Sequence, residues 1–185
     1  MRRAILLAAA LWLAMAVPAV AADPFDPVLV MLEAQAALAK GDLEGASAIY
    51  GRGLDHPAAS DRYRVSYYMG RSRVRARQQR LDLALADVDA AVTLADRSEP
   101  AVARGNIHAM RGLLLAEVGR PAEAIAALET AHALLQSPDD EYADLLAEMK
   151  KRQPEQVDAL RRQTESLIRT VKQALDRLRQ AGGRR

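Results

Sequence analysis

Small and apolar positions recur along this chain at helical spacing. Ala124, Leu128 and Ala131 stand four and three residues apart, so they share one helix face. Ala46, Tyr50 and Gly53 repeat that spacing, and so do Ala84, Val88 and Ala91. The leading alanines are 38 and 40 residues apart. Twelve residues before each lies another small residue: Ala34, Ser72 and Gly112. Small residues on two antiparallel helices allow close approach, and the larger Tyr50, Val88 or Leu128 fills the gap between neighbours. Gly119 suits the positive φ that ends a helix, and Pro121 suits the first turn of the next.

Periodicity and breaks together predict helices over 28–40, 43–54, 58–78, 81–95, 102–118, 121–136 and 141–153. The breaks are Gly41-Asp42, His56-Pro57, Ser98 to Pro100, Gly119, and Ser137 to Asp140. Asp26 is placed to cap the first helix, with Pro27 in its first turn. A pair of helices repeated at a near-constant period is the mark of a solenoid, because one pair cannot bury its apolar face alone. The expected fold is therefore all-α: an α-solenoid of about three helical hairpins, at 28–57, 58–98 and 101–138, closed by C-terminal helices over 139–180. Composition agrees, since half the residues are hydrophobic while aromatics are only 4%.

The last helix, expected over 155–180, differs from the others. Val157, Leu160, Thr164, Leu167, Val171, Ala174 and Leu178 alternate three and four apart, as in a heptad stripe. Two uses fit: a cap over the open end of the array, or a surface for self-association or a partner helix. Residues 181–185 form a helix stop and a short basic tail.

The third hairpin, with Gly112, Leu115, Gly119, Ala124, Leu128 and Ala131, resembles a tetratricopeptide repeat. The first resembles it through Ala34, Gly41, Ala46, Tyr50, Gly53 and Pro57. The resemblance covers about 28–138. The chain departs from the family in having repeats longer than ~34 residues. Val30, Tyr68 and His108 stand at the tryptophan position, and Gln79 stands where Gly41 and Gly119 mark the other turns. Another αα repeat, of the Sel1-like or HEAT type, is the alternative label. The register of the second repeat has two solutions, with either Ser72 or Gly70 as its small residue. The Gly70 solution implies about two extra residues in the turn.

The first 22 residues stand apart from the repeats. Met1-Arg2-Arg3 is basic, Ala4 to Val17 is apolar, and Ala19-Val20-Ala21-Ala22 follows Pro18. This is the form of a bacterial secretory signal peptide, with cleavage expected after Ala21 or Ala22. The apolar run is shorter than the ~20 residues of a spanning helix. No stable membrane anchor is expected after cleavage, and the destination is periplasmic or secreted. Cysteine is absent, which excludes disulfides, thiolate ligands and cysteine nucleophiles. The formal charge of +2 falls to 24 basic against 24 acidic residues once Arg2 and Arg3 leave. Charge therefore gives no support for a nucleic-acid partner.

Local charge is uneven. Arg62, Arg64, Arg71, Arg73, Arg75, Arg77 and Arg80 occur with no acid among them. Like charges at i,i+4 destabilise a helix by a few tenths of a kcal/mol each, so a compensating partner is expected. Asp82, Asp87 and Asp89, or Asp42 and Glu44, would serve internally. The alternative is an anion-binding strip in which arginine forks take carboxylates, with Tyr68 as a stacking face.

Tetratricopeptide grooves commonly hold extended peptides, and some clamp a terminal carboxylate with basic residues. The resemblance implies groove positions at Gln35, Arg73, Arg77, Asn106 and Leu113. If Gly70 sets the register, Arg71 and Arg75 replace Arg73 and Arg77. His56, His108 and His132 are isolated, and no metal or other cofactor is expected. No G-x-S-x-G, H-E-x-x-H or P-loop motif occurs. The expected function is a non-enzymatic protein-protein interaction scaffold of the bacterial cell envelope, binding a peptide or protein segment on its concave face, with the arginines setting a preference for acidic partners. Homo-oligomerisation through residues 155–180 is the alternative.

Overall fold

The computed structural model describes residues 25–137 and 139–183. The expected signal peptide and the final Arg184-Arg185 of the tail lie outside the described residues. Eight helices and no strand are present among them: α1 (Pro27–Ala39), α2 (Leu43–Asp55), α3 (Asp61–Arg77), α4 (Leu81–Ser98), α5 (Ala101–Glu117), α6 (Pro121–Gln136), α7 (Asp140–Arg152) and α8 (Pro154–Gly182). None of the described helices is long and apolar enough to cross a membrane.

Each helix up to α6 packs on its neighbours in sequence, which makes three antiparallel hairpins in a row. α8, rather than α7, then covers α6 and touches α5, and α7 packs on α8. Asp26 caps α1, its Oδ1 accepting from the amides of Val28 and Leu29 at 2.8 and 3.2 Å. Asp42 caps α2 through Gly45 N at 2.7 Å. α3 begins three residues later than expected. Ala59 folds back on His56 O at 3.1 Å and is buried, so Ser60 becomes the N-cap position. The Phe25 ring stacks on His56, centroids 4.0 Å apart, and lies against this corner.

The three hairpin turns are alike. Gly41, Gln79 and Gly119 have φ of 78°, 60° and 77°. The residue after each donates five residues back: Asp42 to Ala37 O at 3.0 Å, Arg80 to Arg75 O at 2.9 Å, and Arg120 to Leu115 O at 2.8 Å. This 6→1 bond with a left-handed residue is the Schellman ending of a helix. The second turn therefore has no extra residues, and Gln79 takes the conformation that glycine takes in the other two.

The register of the second repeat follows. Ser72 is fully buried and donates from Oγ to Ala84 O at 2.8 Å. Gly112 faces Ala124 the same way, since a Cβ on it would lie 3.1 Å from Ala124 O and 2.6 Å from Leu128 Cγ. Gly70 instead meets the Tyr50 ring of the preceding hairpin. The Gly70 register is thereby corrected: Gly70 serves the contact between hairpins, and Ser72 the crossing within one.

The core runs through the array in three joined clusters. α3 turns Tyr67 and Val74 toward the first hairpin and Val65 and Met69 toward the later ones. α5 turns Ile107 and Leu114 one way, and Val102 and Ala109 the other. Ala46, Ala84 and Ala124 are fully buried, as are Ala91, Ala131, Val88 and Leu128, while Tyr50 and Gly53 are also buried. Burial pushes the Tyr67 hydroxyl up to about 12, with Tyr63 and Asp26 acting the same way, and the hydroxyl donates to Pro27 O at 2.9 Å.

At the far end α8 buries Val171 and Leu175 with Leu128, Ala131 and Leu135. Burying such side chains contributes roughly 1.5–3 kcal/mol each. Of the expected stripe, Val157 and Val171 are buried, Thr164, Leu167, Ala174 and Leu178 are half-buried, and Leu160 is exposed. Ile168 and Leu175 join it. Self-association through this stripe would require α8 to leave α6.

Candidate functional site

α1, α3 and α5 are the first helices of the three hairpins, and their free sides form one groove. It has a volume of about 310 Å³. Met31 and Gln35 come from α1, and Val65, Ser66, Met69 and Arg73 from α3. Ala103, Asn106 and Ile107 come from α5, Tyr50 closes the floor from α2, and Glu99 enters from the loop before α5. Three of the expected groove residues, Gln35, Arg73 and Asn106, thus converge from three different helices. Gln35 and Arg73 occupy the same repeat position, one residue after Ala34 and Ser72. Leu113 occupies it in the third repeat and is 39% exposed, but it does not line the groove. Arg77 is exposed and also lies outside the lining.

The groove is polar at its walls and apolar along its floor. Asn106 is held by its own helix, donating to Val102 O at 2.9 Å. Burial raises the Tyr50 hydroxyl above its usual range, and the nearby Arg73 guanidinium opposes the shift. Arg73 has no ion pair with any described residue. Burial likewise raises the Glu99 carboxyl, with Arg62 opposing.

Arg71 and Arg75 do not face the groove. Both turn toward Asp87 on α4, which is only 3% exposed. Arg71 Nε and Nη2 reach its carboxylate at 3.0 and 2.7 Å, and Arg75 Nη1 at 2.7 Å. Arg75 also donates to Leu83 O at 3.3 Å, and Arg71 lies 5.6 Å from the Tyr68 ring centroid. A carboxylate buried between two guanidiniums is a structural pair, because its partners compensate the desolvation of its charge. Their place in the groove under the Gly70 register is corrected with that register. Arg80 meets Glu44 at 3.2 Å and Arg62 meets Glu99 at 4.0 Å, so four of the seven arginines are paired internally. Asp89, offered as a partner for the same stretch, pairs with Arg111 at 2.7 Å.

Three solved structures show what this arrangement is similar to. The N-terminal domain of stress-induced protein-1 (STI-1) from C. elegans superposes with a TM-score of 0.53 at 12% identity, covering 67% of this chain and 94% of that one. The first TPR domain of Spaghetti (RPAP3), bound to the HSP90 peptide SRMEEVD, gives 0.52 at 15% identity, covering 81% and 93%. The TPR2B domain of yeast Sti1, in a complex with pHsp70, gives 0.51 at 16% identity, covering 80% and 96%. The chain has the tetratricopeptide-repeat fold. No family model matches the sequence, and no curated protein does.

Beyond Gln35, Arg73 and Asn106, none of the residues lining this tetratricopeptide-repeat groove was expected there from the sequence, and two of them, Tyr50 and Glu99, are titratable. Tyr50 was read as a packing residue, and its ring does pack, but its edge also reaches the groove. Glu99 sits between Ser98 and Pro100, where a loop acid reads as solvated. Its only sequence signal is its place between two repeats. Among the described residues, no group of three or more His, Cys, Asp or Glu side chains could hold a metal ion.

Proposed function

We propose that this protein is a non-enzymatic interaction module that holds a peptide or protein segment along the α1–α3–α5 groove. The observation that carries this reading is the convergence of Gln35, Arg73 and Asn106 on one groove from three successive repeats. Stacked repeats build such extended binding surfaces as a consequence of their geometry. Similarity to domains that were solved with an HSP90 peptide and with pHsp70 supports the same reading. Arg73 gives the groove a cation with no ion pair among the described residues, and so a preference for acidic groups on the segment.

The wall of α1 supports an apolar contribution from the partner. Val28, Leu32, Gln35 and Ala39 are spaced four, three and four apart, so Gln35 of the groove shares a strip with two half-exposed aliphatic residues. Exposed apolar strips beside a groove are common on interaction surfaces. We further propose a location in the bacterial cell envelope, periplasmic or secreted, on the pattern of residues 1–22.

Capture from envelope extract tests the reading. The purified protein is used as bait at low and at high salt, beside Arg73→Glu and the exposed control Arg169→Glu. Screening shortens from ~10 Å at 0.1 M salt to ~3 Å at 1 M. The expected result is a partner lost with Arg73→Glu and at high salt, and kept with Arg169→Glu. Capture that ignores Arg73→Glu would remove the groove arginine from the account.

A further inference from the structure

Glu99 lies between the groove and a neighbouring pocket that holds Arg62, and its carboxylate has no protein hydrogen bond among the described residues. Its side chain is only 10% exposed. Among the described residues its ionic neighbour is Arg62, at 4.0 Å and 75% exposed. That separation is beyond hydrogen-bond reach, and an ion pair with so exposed a partner contributes little. The carboxylate oxygens keep contact with solvent, so with no protein donor they depend on the water of the groove while the stem is buried. Burial accordingly pushes its carboxyl up, with Arg62 acting the other way.

Glu99, from the loop before α5, and Arg73, from α3, both line the groove. Arg62 marks the Glu99 end of α3, and Arg73 lies eleven residues further along the helix. At 1.5 Å per residue the two poles are about 16 Å apart along the axis, or about 10 Å if measured from Ser66. Val65 and Met69 form the apolar floor between them.

We propose that the groove is bipolar: it selects segments that place an ammonium or guanidinium on Glu99 and a carboxylate on Arg73, with an apolar residue between. This rests on the groove being the binding surface. The cation supplies the donor that Glu99 lacks, and the carboxylate supplies the partner that Arg73 lacks. An extended segment advances about 3.3 Å per residue, so the two charges are separated by roughly three to five residues. A wholly acidic segment meets repulsion at Glu99, which gives the site negative as well as positive selection.

An array of N-acetylated, C-amidated decapeptides tests the inference. Each carries a Leu at its centre with one Lys and one Asp, at varied spacing and in both orders. A parallel set carries Asp alone. The expected result is one order and spacing bound about tenfold more tightly than the Asp-only set, the scale of one charge-assisted contact. Glu99→Gln should reduce this to the Asp-only level and leave Asp-only binding no weaker. Arg62→Gln, which removes the competing cation from an exposed position, should tighten binding of the bipolar peptides. Unfolding midpoints confirm that each variant is folded. Equal binding of bipolar and Asp-only peptides, or a preference that survives Glu99→Gln, would overturn the bipolar site and leave the groove reading standing. Failure of every peptide to bind the wild-type protein would overturn both.

Discussion

The Arg71 guanidinium holds Asp87 through two of its nitrogens, at 3.0 and 2.7 Å, and Asp87 is 3% exposed. That relationship decides which arginine is available to a partner. Arg71 and Arg75 are committed to the α3–α4 crossing, whereas Arg73, between them in sequence, points into the groove. Residues two apart on a helix face opposite sides, so one arginine-rich run supplies both the buried pair and the cation of the groove.

Asp87→Ala should therefore be strongly destabilising. Removing one partner of a buried ion pair costs about 3–5 kcal/mol, and the low end applies because both arginine side chains keep some access to water. Urea denaturation measures it. A loss below about 1 kcal/mol would mean that the cluster contributes no more than a surface pair.

Gln79→Gly should stabilise the protein. Gln79 has φ of 60°, in the left-handed region where an L side chain costs roughly 1–2 kcal/mol. The added freedom of glycine in the unfolded chain offsets part of that gain, leaving about 0.5–1 kcal/mol. A shift of the urea midpoint upward at unchanged slope is the expected outcome, and a downward shift contradicts it.

Gly112→Ala should destabilise by about 1–3 kcal/mol, the range for overpacking a filled core. The new methyl would sit 2.6 Å from Leu128 Cγ and 3.1 Å from Ala124 O, and the backbone oxygen cannot swing aside. Thermal unfolding checks this, with Gly182→Ala, which meets nothing within 4 Å, as the control.

Glu99 predicts a pH effect of definite sign. Its folded carboxyl is raised from the ordinary 4.5, chiefly by burial. The folded state thus binds the proton more tightly than the unfolded state, and the associated stability is full below that ordinary value and lost as pH rises through the folded one. Glu99→Gln should match the wild type in acid and exceed it near neutral pH. His108 is lowered from the ordinary 6.5 by burial and so acts in the opposite sense, gaining stability as pH rises. Comparing the two proteins at each pH cancels that contribution. Equal midpoints at both pH values would contradict the raised carboxyl.

The repeat was legible because close helix crossings accept only small residues, and Ala34, Ser72 and Gly112 with Ala46, Ala84 and Ala124 mark the crossing within each hairpin. Turns one and three were legible through Gly41 and Gly119. The second was not, because Gln79 adopts the same left-handed conformation without being glycine. That single substitution left open the register, and with it the choice between Arg71–Arg75 and Arg73–Arg77. Asp87 was expected with Asp82 and Asp89 as an internal partner for the arginines, but nothing in the sequence singled it out as the buried one. Its neighbours Asp82 and Asp89 are in fact exposed. Glu99 depends on how two repeats stack, which no local pattern encodes. The stripe on α8 was legible as apolar, and its destination on α6 was one of the two uses expected.

The central claim is that a partner lies along the α1–α3–α5 groove, and photo-cross-linking tests it most directly. A photoreactive side chain is placed at Gln35, at Asn106, or at Arg169 on the exposed face of α8, and each protein is irradiated in envelope extract. The account predicts adducts from positions 35 and 106 to one and the same segment of one partner, lost when Arg73→Glu is added, and none from position 169. Adducts spread equally over all three positions, or groove adducts that persist with Arg73→Glu, would contradict it.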